Sequence, residues 1–246
     1  MTIFDYLAGM AAVTAGGVAA VSGFGVGSIL TPVLSIRLGT QLAVAAVSLP
    51  HLVATFVRFW MLRRDVNRRV LIGFGIMSAA GGLCGALLQS VVSSVALTYI
   101  FAGLLIFAGL SSITGYSKRM RFGRVVAWVA GTISGVLGGL AGNQGGIRSA
   151  ALLGFSLERR AFVATATAIG LFVDCARVPV YLATSTPGLI DNWKLIALCT
   201  AGALAGTFLG TSGLKRIPEE AFSRVVGALI FGLGVWMLIK GTLNIS

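Results

Sequence analysis

Eight apolar stretches, at about 5–36, 41–62, 70–88, 95–117, 125–155, 161–184, 192–211 and 221–239, fill most of this chain. Stretches of that kind are hydrophobic on every face and leave no polar side to turn toward water. About twenty such residues match the hydrocarbon thickness of a bilayer. Hydrophobic residues make up 57% of the chain and charged residues 11%, against about 25% charge in a soluble domain. An ordinary soluble globular fold is excluded, and an all-α integral membrane protein is expected. The 34 glycines fit the same solvent, because small residues let helices approach closely in lipid.

Two stretches are too long for one crossing. The runs 5–36 and 125–155 would each reach about 47 Å as continuous helices at 1.5 Å per residue, and the hydrocarbon is only about 30 Å thick. Both are broken by glycine. The first break is Ser22-Gly23-Phe24-Gly25-Val26-Gly27-Ser28, followed by Thr31-Pro32, and the second runs from Gly138 through Asn143 and Gln144 to Gly146. Irregular backbone at membrane depth is tolerated where it faces protein or a watery cavity. Each long run is therefore read as two short helices folding back at the break, a re-entrant hairpin.

The charges agree. Arg63, Arg64, Arg68 and Arg69 follow the second run, Lys118, Arg119, Arg121 and Arg124 the fourth, and Lys215, Arg216 and Arg224 the seventh. Arg159 and Arg160 precede the sixth. The linker 89–94 is uncharged and 185–191 carries only Asp191. With both long runs as hairpins, every basic linker falls on one side and both neutral linkers on the other, as the positive-inside rule requires. Both termini then lie outside. Most of the net +12 charge belongs to this pattern, and nucleic acid is not an expected partner.

The chain also divides into two similar parts. Gly23 and Gly27 precede Gly142 and Gly146 by one constant interval of 119 residues. The first repeat is 1–117 (hairpin 5–36, helices 41–62, 70–88 and 95–117). The second is 118–246 (hairpin 125–155, helices 161–184, 192–211 and 221–239). A hairpin plus three crossings turns the second part upside down, the inverted-repeat design of many secondary transporters. The alternative is eight plain helices in which glycine serves packing alone.

Arg148 follows the second glycine break at the start of a half-helix. Free backbone N–H groups and a guanidinium together make an anion site; the alternative is an arginine snorkelling to the interface. Asn143, Gln144, Gly145 and Gly146 surround it in sequence. The first break supplies the counterparts Gly25, Gly27, Ser28 and Thr31, with two hydroxyl side chains of the kind that cap the next helix or bind an anion. Pro32 suits that helix's opening turn. Asp174 and Arg177 share one helical face, either as a structural ion pair or as a gating pair in which Asp174 exchanges a proton. His51 is the lone histidine, beside Pro50 in mid-run. It can carry a proton near neutral pH or serve as a neutral core residue. Arg58 is read as vestibule-lining or snorkelling. Cys84, Cys175 and Cys199 read as small buried thiols. No motif for ATP, no cofactor site and no metal-ligand cluster stands out, so neither a cofactor nor enzymatic chemistry is expected.

The glycine segment Gly23-Phe24-Gly25-Val26-Gly27-Ser28 with Pro32, and its counterpart Gly142-Asn143-Gln144-Gly145-Gly146, resemble the paired segments of the TauE/SafE family of sulfite-exporter-like permeases. The resemblance spans essentially the whole chain. Ser28 departs from the family's last glycine, Asn143-Gln144 opens the second segment, and Ala151 stands where a second proline is expected. The resemblance implies a multi-pass protein of the bacterial cell membrane that transports a small anion such as sulfite or a sulfonate. Arg148, Arg177 and the hairpin backbone would hold the anion, and Asp174 or His51 would couple a proton. The other classes are an anion channel and a non-transporting intramembrane binding or redox partner. The expected partners are the small anion, H+ and the bilayer; homo-oligomers are compatible with the sequence.

Overall fold

The computed structural model describes residues 2–115, 124–142, 145, 148, 152, 155, 157–213 and 219–243. They form long helices: α1 (Ile3–Ser22), α2 (Val26–Leu62), α3 (Ile76–Gln89), α4 (Ser94–Thr114), α5 (Arg124–Ala141), α6 (Arg159–Asp191), α7 (Trp193–Gly213) and α8 (Glu219–Thr242). A helical turn, Arg68–Val70, and a π-helical stretch, Leu71–Gly75, lead into α3. Among the described residues, seven spans are long and apolar enough to cross a membrane, and Trp128–Ala141 is a shorter apolar helix. The protein is an all-α, multi-pass membrane protein. Its outer surface carries exposed Leu, Ile, Val, Phe and Met side chains, and Trp60, Trp128, Trp193 and Trp236 are exposed among them, as a lipid-facing surface requires.

The first long run is broken at Gly23 (φ 79) and Gly25 (φ 138), a backbone that a Cβ would strain. The helix resumes at Val26 with Gly25 as its N-cap and no side-chain cap. Gly27, Ser28 and Thr31 are therefore inside α2, and Thr31 does not cap it. Pro32 also lies past the opening turn, because the helix restarts earlier than its position suggested. A second break falls at Gly39 (φ 72, ψ 160), which divides α2 into two arms. α1 has 20 residues and is longer than the first arm of α2.

Polar contacts fix which helix ends lie together. Arg37 meets Asp5 at 3.3 Å, so the first arm of α2 comes back to the end from which α1 starts. At that end Thr40 meets Thr98 at 2.5 Å, the Gln41 and Gln89 amides donate to each other's backbone carbonyls, and Lys240 donates to the Ser35 carbonyl. The second arm of α2 leads to the opposite end. There Arg160 pairs with Asp65 at 2.9 Å, and the Asn67 N–H donates to Thr165. The basic segments 63–69 and 158–160 thus share one end of the molecule.

Helices meet where small residues allow it. α1 lies along α7: Gly16 faces the Ala203 carbonyl, Gly206 that of Val13, and Gly210 that of Gly17. α5 lies along α3 in the same manner: Gly135 faces the Ser78 carbonyl, Gly81 that of Thr132, and Gly85 that of Val136. Each contact of the first set becomes one of the second when the α1 residue moves up 119 positions and the α7 residue moves down 125. The α4·α8 pair maps onto itself, since Gly109 meets Phe231 and Gly234 meets Ile106. The cysteines depart from expectation. Cys84 and Cys175 are exposed and only Cys199 is buried, because the helix faces carrying the first two look outward.

Candidate functional site

The second arm of α2 and the middle of α6 lie side by side, and both glycine breaks come against them. A Cβ on Gly27 would collide with the Gly142 carbonyl, one on Gly145 with the Phe24 ring, and one on Gly23 would touch Ala166 of α6. Only glycine permits the two breaks to approach this closely. Gly142 itself has φ 72 and lies beside Val44 and the Arg177 guanidinium.

Around this junction are Arg58 (2% exposed), Arg148 (2%), Arg177 (1%), Asp174 (0%) and His51 (7%). Asp174 is fully committed. Its Oδ1 accepts from Arg177 Nε at 3.0 Å and lies 2.8 Å from Nη2, while Oδ2 is 2.6 Å from His51 Nδ1. Arg177 Nη1 donates to the Gly138 carbonyl at 2.7 Å, so all three of its nitrogens have partners. Tyr181 donates to the neighbouring Gly139 carbonyl. Arg177 is therefore a brace tying α6 to the end of α5.

The other two arginines are differently placed. Arg58 Nη2 donates to Thr55 Oγ1 at 3.2 Å, and that oxygen is 3.4 Å from His51 Nδ1. Arg148 Nη2 reaches the Gly23 carbonyl at 3.3 Å. Nε and Nη1 of both Arg58 and Arg148 are buried without a hydrogen-bond partner, as are the hydroxyls of Thr31 and Thr167. Three guanidinium groups thus surround one carboxylate, an excess of two positive charges in a water-poor interior. Buried charge of one sign is expensive unless something pairs with it. The arrangement favours occupancy by an anion.

Of the residues singled out in the sequence, Arg148, Arg177, Asp174, His51, Gly25, Gly27, Ser28, Thr31 and Gly145 are described, and they lie on the segments that meet here. Asn143, Gln144 and Gly146 lie outside the described residues. Arg148 points into the protein rather than to an interface. Arg58, read as vestibule or snorkelling, belongs to the cluster. A signal for it was present: Arg58 and Arg177 are 119 residues apart, the interval that relates the two glycine breaks, and so are Thr55 and Asp174. Gly170 also went unnoticed, although a Cβ there would press on Arg148 Nη1 at 2.9 Å. Among the described residues no group of three or more His, Cys, Asp or Glu could hold a metal.

The family described as sulfite exporter TauE/SafE matches residues 8–237. No curated protein and no solved structure gives a match.

Proposed function

Since this chain belongs to the sulfite exporter TauE/SafE family, we propose that it is a secondary transporter moving a small, sulfur-containing anion such as sulfite or a sulfonate across the bacterial cell membrane. Family and membrane-helix architecture support anion transport in general, and the chain is a transporter rather than an enzyme. The observation that carries the finer reading is the buried cluster of Arg58, Arg148 and Arg177 with Asp174 as its one carboxylate among the described residues. The substrate binds at the junction of the two glycine breaks. Arg148 is its main side-chain ligand, and backbone donors at Gly25 and Gly27, the side chains of Ser28 and Thr31, and the Asn143–Gly146 segment complete the site. Arg177 contributes field more than contact, because its nitrogens are taken. Asp174 and His51, 2.6 Å apart, form the pair through which a proton is coupled.

The two parts, 1–117 and 118–246, are inverted repeats, each with a re-entrant hairpin. The matched contact sets of α1·α7 and α3·α5, and the self-matched α4·α8 pair, support that symmetry. Transport then proceeds by rocking of one unit against the other around a fixed site. The shared end of the basic segments supports a cytoplasmic placement for that end, which leaves both termini outside.

The test is a thermal-shift screen of the purified protein with sulfite, sulfate, thiosulfate, methanesulfonate, taurine and small carboxylates. A ligand that prefers the folded state raises the unfolding temperature. The best binder is then followed into proteoliposomes across an imposed pH step. Stabilisation by a sulfur oxyanion and flux that accelerates with the proton gradient are expected. Downhill flux indifferent to pH indicates a channel. No stabilisation by any anion removes the transport reading.

A further inference from the structure

The two arginines related by the 119-residue interval have unequal partners. Arg177 reaches back one helical turn to Asp174, and Asp174 touches His51 of the other unit. Arg58 makes the same backward reach, but to Thr55. The position matching His51 at that interval is Gly170. One member of the symmetric pair is thus arginine, carboxylate and imidazole; the other is arginine, hydroxyl and no side chain at all.

The surroundings of Gly170 are close. A Cβ on Gly170 would lie 2.9 Å from Arg148 Nη1 and 3.7 Å from Thr55 Cγ2, so Arg148 and the Arg58–Thr55 pair face each other across Gly170. Arg58 and Arg148 each turn two unpartnered nitrogens into a buried interior. Thr167, with its own unpartnered hydroxyl, lies one turn before Gly170 on α6. On the occupied side, the Asp174 carboxylate accepts from Arg177 Nε and lies against Nη2, and the Gly138 carbonyl accepts from Nη1.

We infer that the substrate's anionic group occupies the place of the missing carboxylate, between Arg58 and Arg148 and bounded by Thr55 and Gly170, so that the bound anion is the counterpart of Asp174. This rests on the anion-transport reading above and sharpens it. The site accepts one oxyanion group of carboxylate to sulfonate size, and Thr55 and Gly170 fix its charge and its room. Four unpartnered N–H-bearing nitrogens match the acceptor capacity of two or three oxygens, and paired guanidinium donors favour that geometry.

The experiment supplies the missing charge covalently. Thr55→Asp places a carboxylate where Arg58 already reaches, three residues back, as Asp174 does for Arg177. Calorimetric titration with sulfite and with methanesulfonate compares wild type, Thr55→Asp, Thr55→Asn and Gly170→Ala, each verified as monodisperse. Thr55→Asp is expected to weaken both anions by at least about tenfold, because the tethered carboxylate competes for both arginines. Its unfolding temperature without anion should match or exceed that of wild type. Thr55→Asn should weaken binding less than Thr55→Asp does, since it adds bulk and an acceptor oxygen but no charge. Gly170→Ala should weaken binding by crowding Arg148. Wild-type affinity in Thr55→Asp, or an equal loss in Thr55→Asn, overturns the assignment while leaving anion transport standing. If Thr55→Asp does not yield folded protein, unchanged affinity in Gly170→Ala overturns it instead. Absence of binding by the wild type to either anion removes the transport reading and this assignment together.

Discussion

Replacing Arg148 by alanine deletes the buried guanidinium that reaches from the Gly23 carbonyl toward Gly170. Anion affinity should fall by about 2 to 5 kcal/mol, the usual consequence of truncating one partner of a buried charge pair. Arg148→Lys should recover only part of this, since an ammonium lacks the planar fork. Calorimetry on the three proteins measures both effects, and an unchanged affinity in Arg148→Ala would remove it from the site. Asp174→Asn has a different consequence. It leaves Arg177 and His51 facing a neutral amide, so the response of flux to a proton gradient should vanish while anion binding persists. Unaltered proton-driven flux in folded Asp174→Asn protein would exclude this carboxylate from coupling. At this scale the sequence was informative where a charge interrupted an apolar run: Arg148, Asp174 and Arg177 stood out for that reason. Arg58 did not, because it lies close to the end of its run, five residues before the basic linker that starts at Arg63, where an arginine ordinarily reaches for the interface.

Helix pairing depends on glycine at particular crossings. Gly206→Ala and Gly81→Ala would each push a methyl into a carbonyl of the facing helix, and each should lower stability by about 1–3 kcal/mol. Gly103→Ala and Gly232→Ala meet nothing within 4 Å and should be neutral or slightly stabilising, as alanine is the better helix former. Unfolding in detergent micelles reports both pairs, and equal behaviour of all four variants would contradict the close crossings. Element existence was legible from run length, and the first glycine break from its density of glycine. The reversal at Gly39 was not, since a lone glycine beside Leu38 and Thr40 resembles many others in this chain. Nor could apolar pattern reveal that α1 lies on α7 and α5 on α3, because lipid solvates an apolar face as well as another helix does. What distinguishes the paired faces is the register of small residues, visible only when two helices are compared at once.

Over the whole molecule, the contacts Asp65–Arg160 and Asp5–Arg37 define two opposite ends. In a variant with Cys84, Cys175 and Cys199 replaced, single cysteines at Arg64 and Ser93 should label from opposite sides of the membrane with an impermeant thiol reagent, Ser93 from outside. Same-side labelling would contradict both the positive-inside assignment and the inverted repeat. The pairing of α1 with α7 also has a consequence in time. α3 meets its partner α5 soon after it is made, but α1 has to wait for Trp193–Gly213. At a synthesis rate of about 5–20 residues per second, that delay is on the order of 10–40 s. A helix made long before its partner stays uncovered on that side, and until then its Gly16–Gly17 face is open to any small-residue helix that drifts past in the lipid.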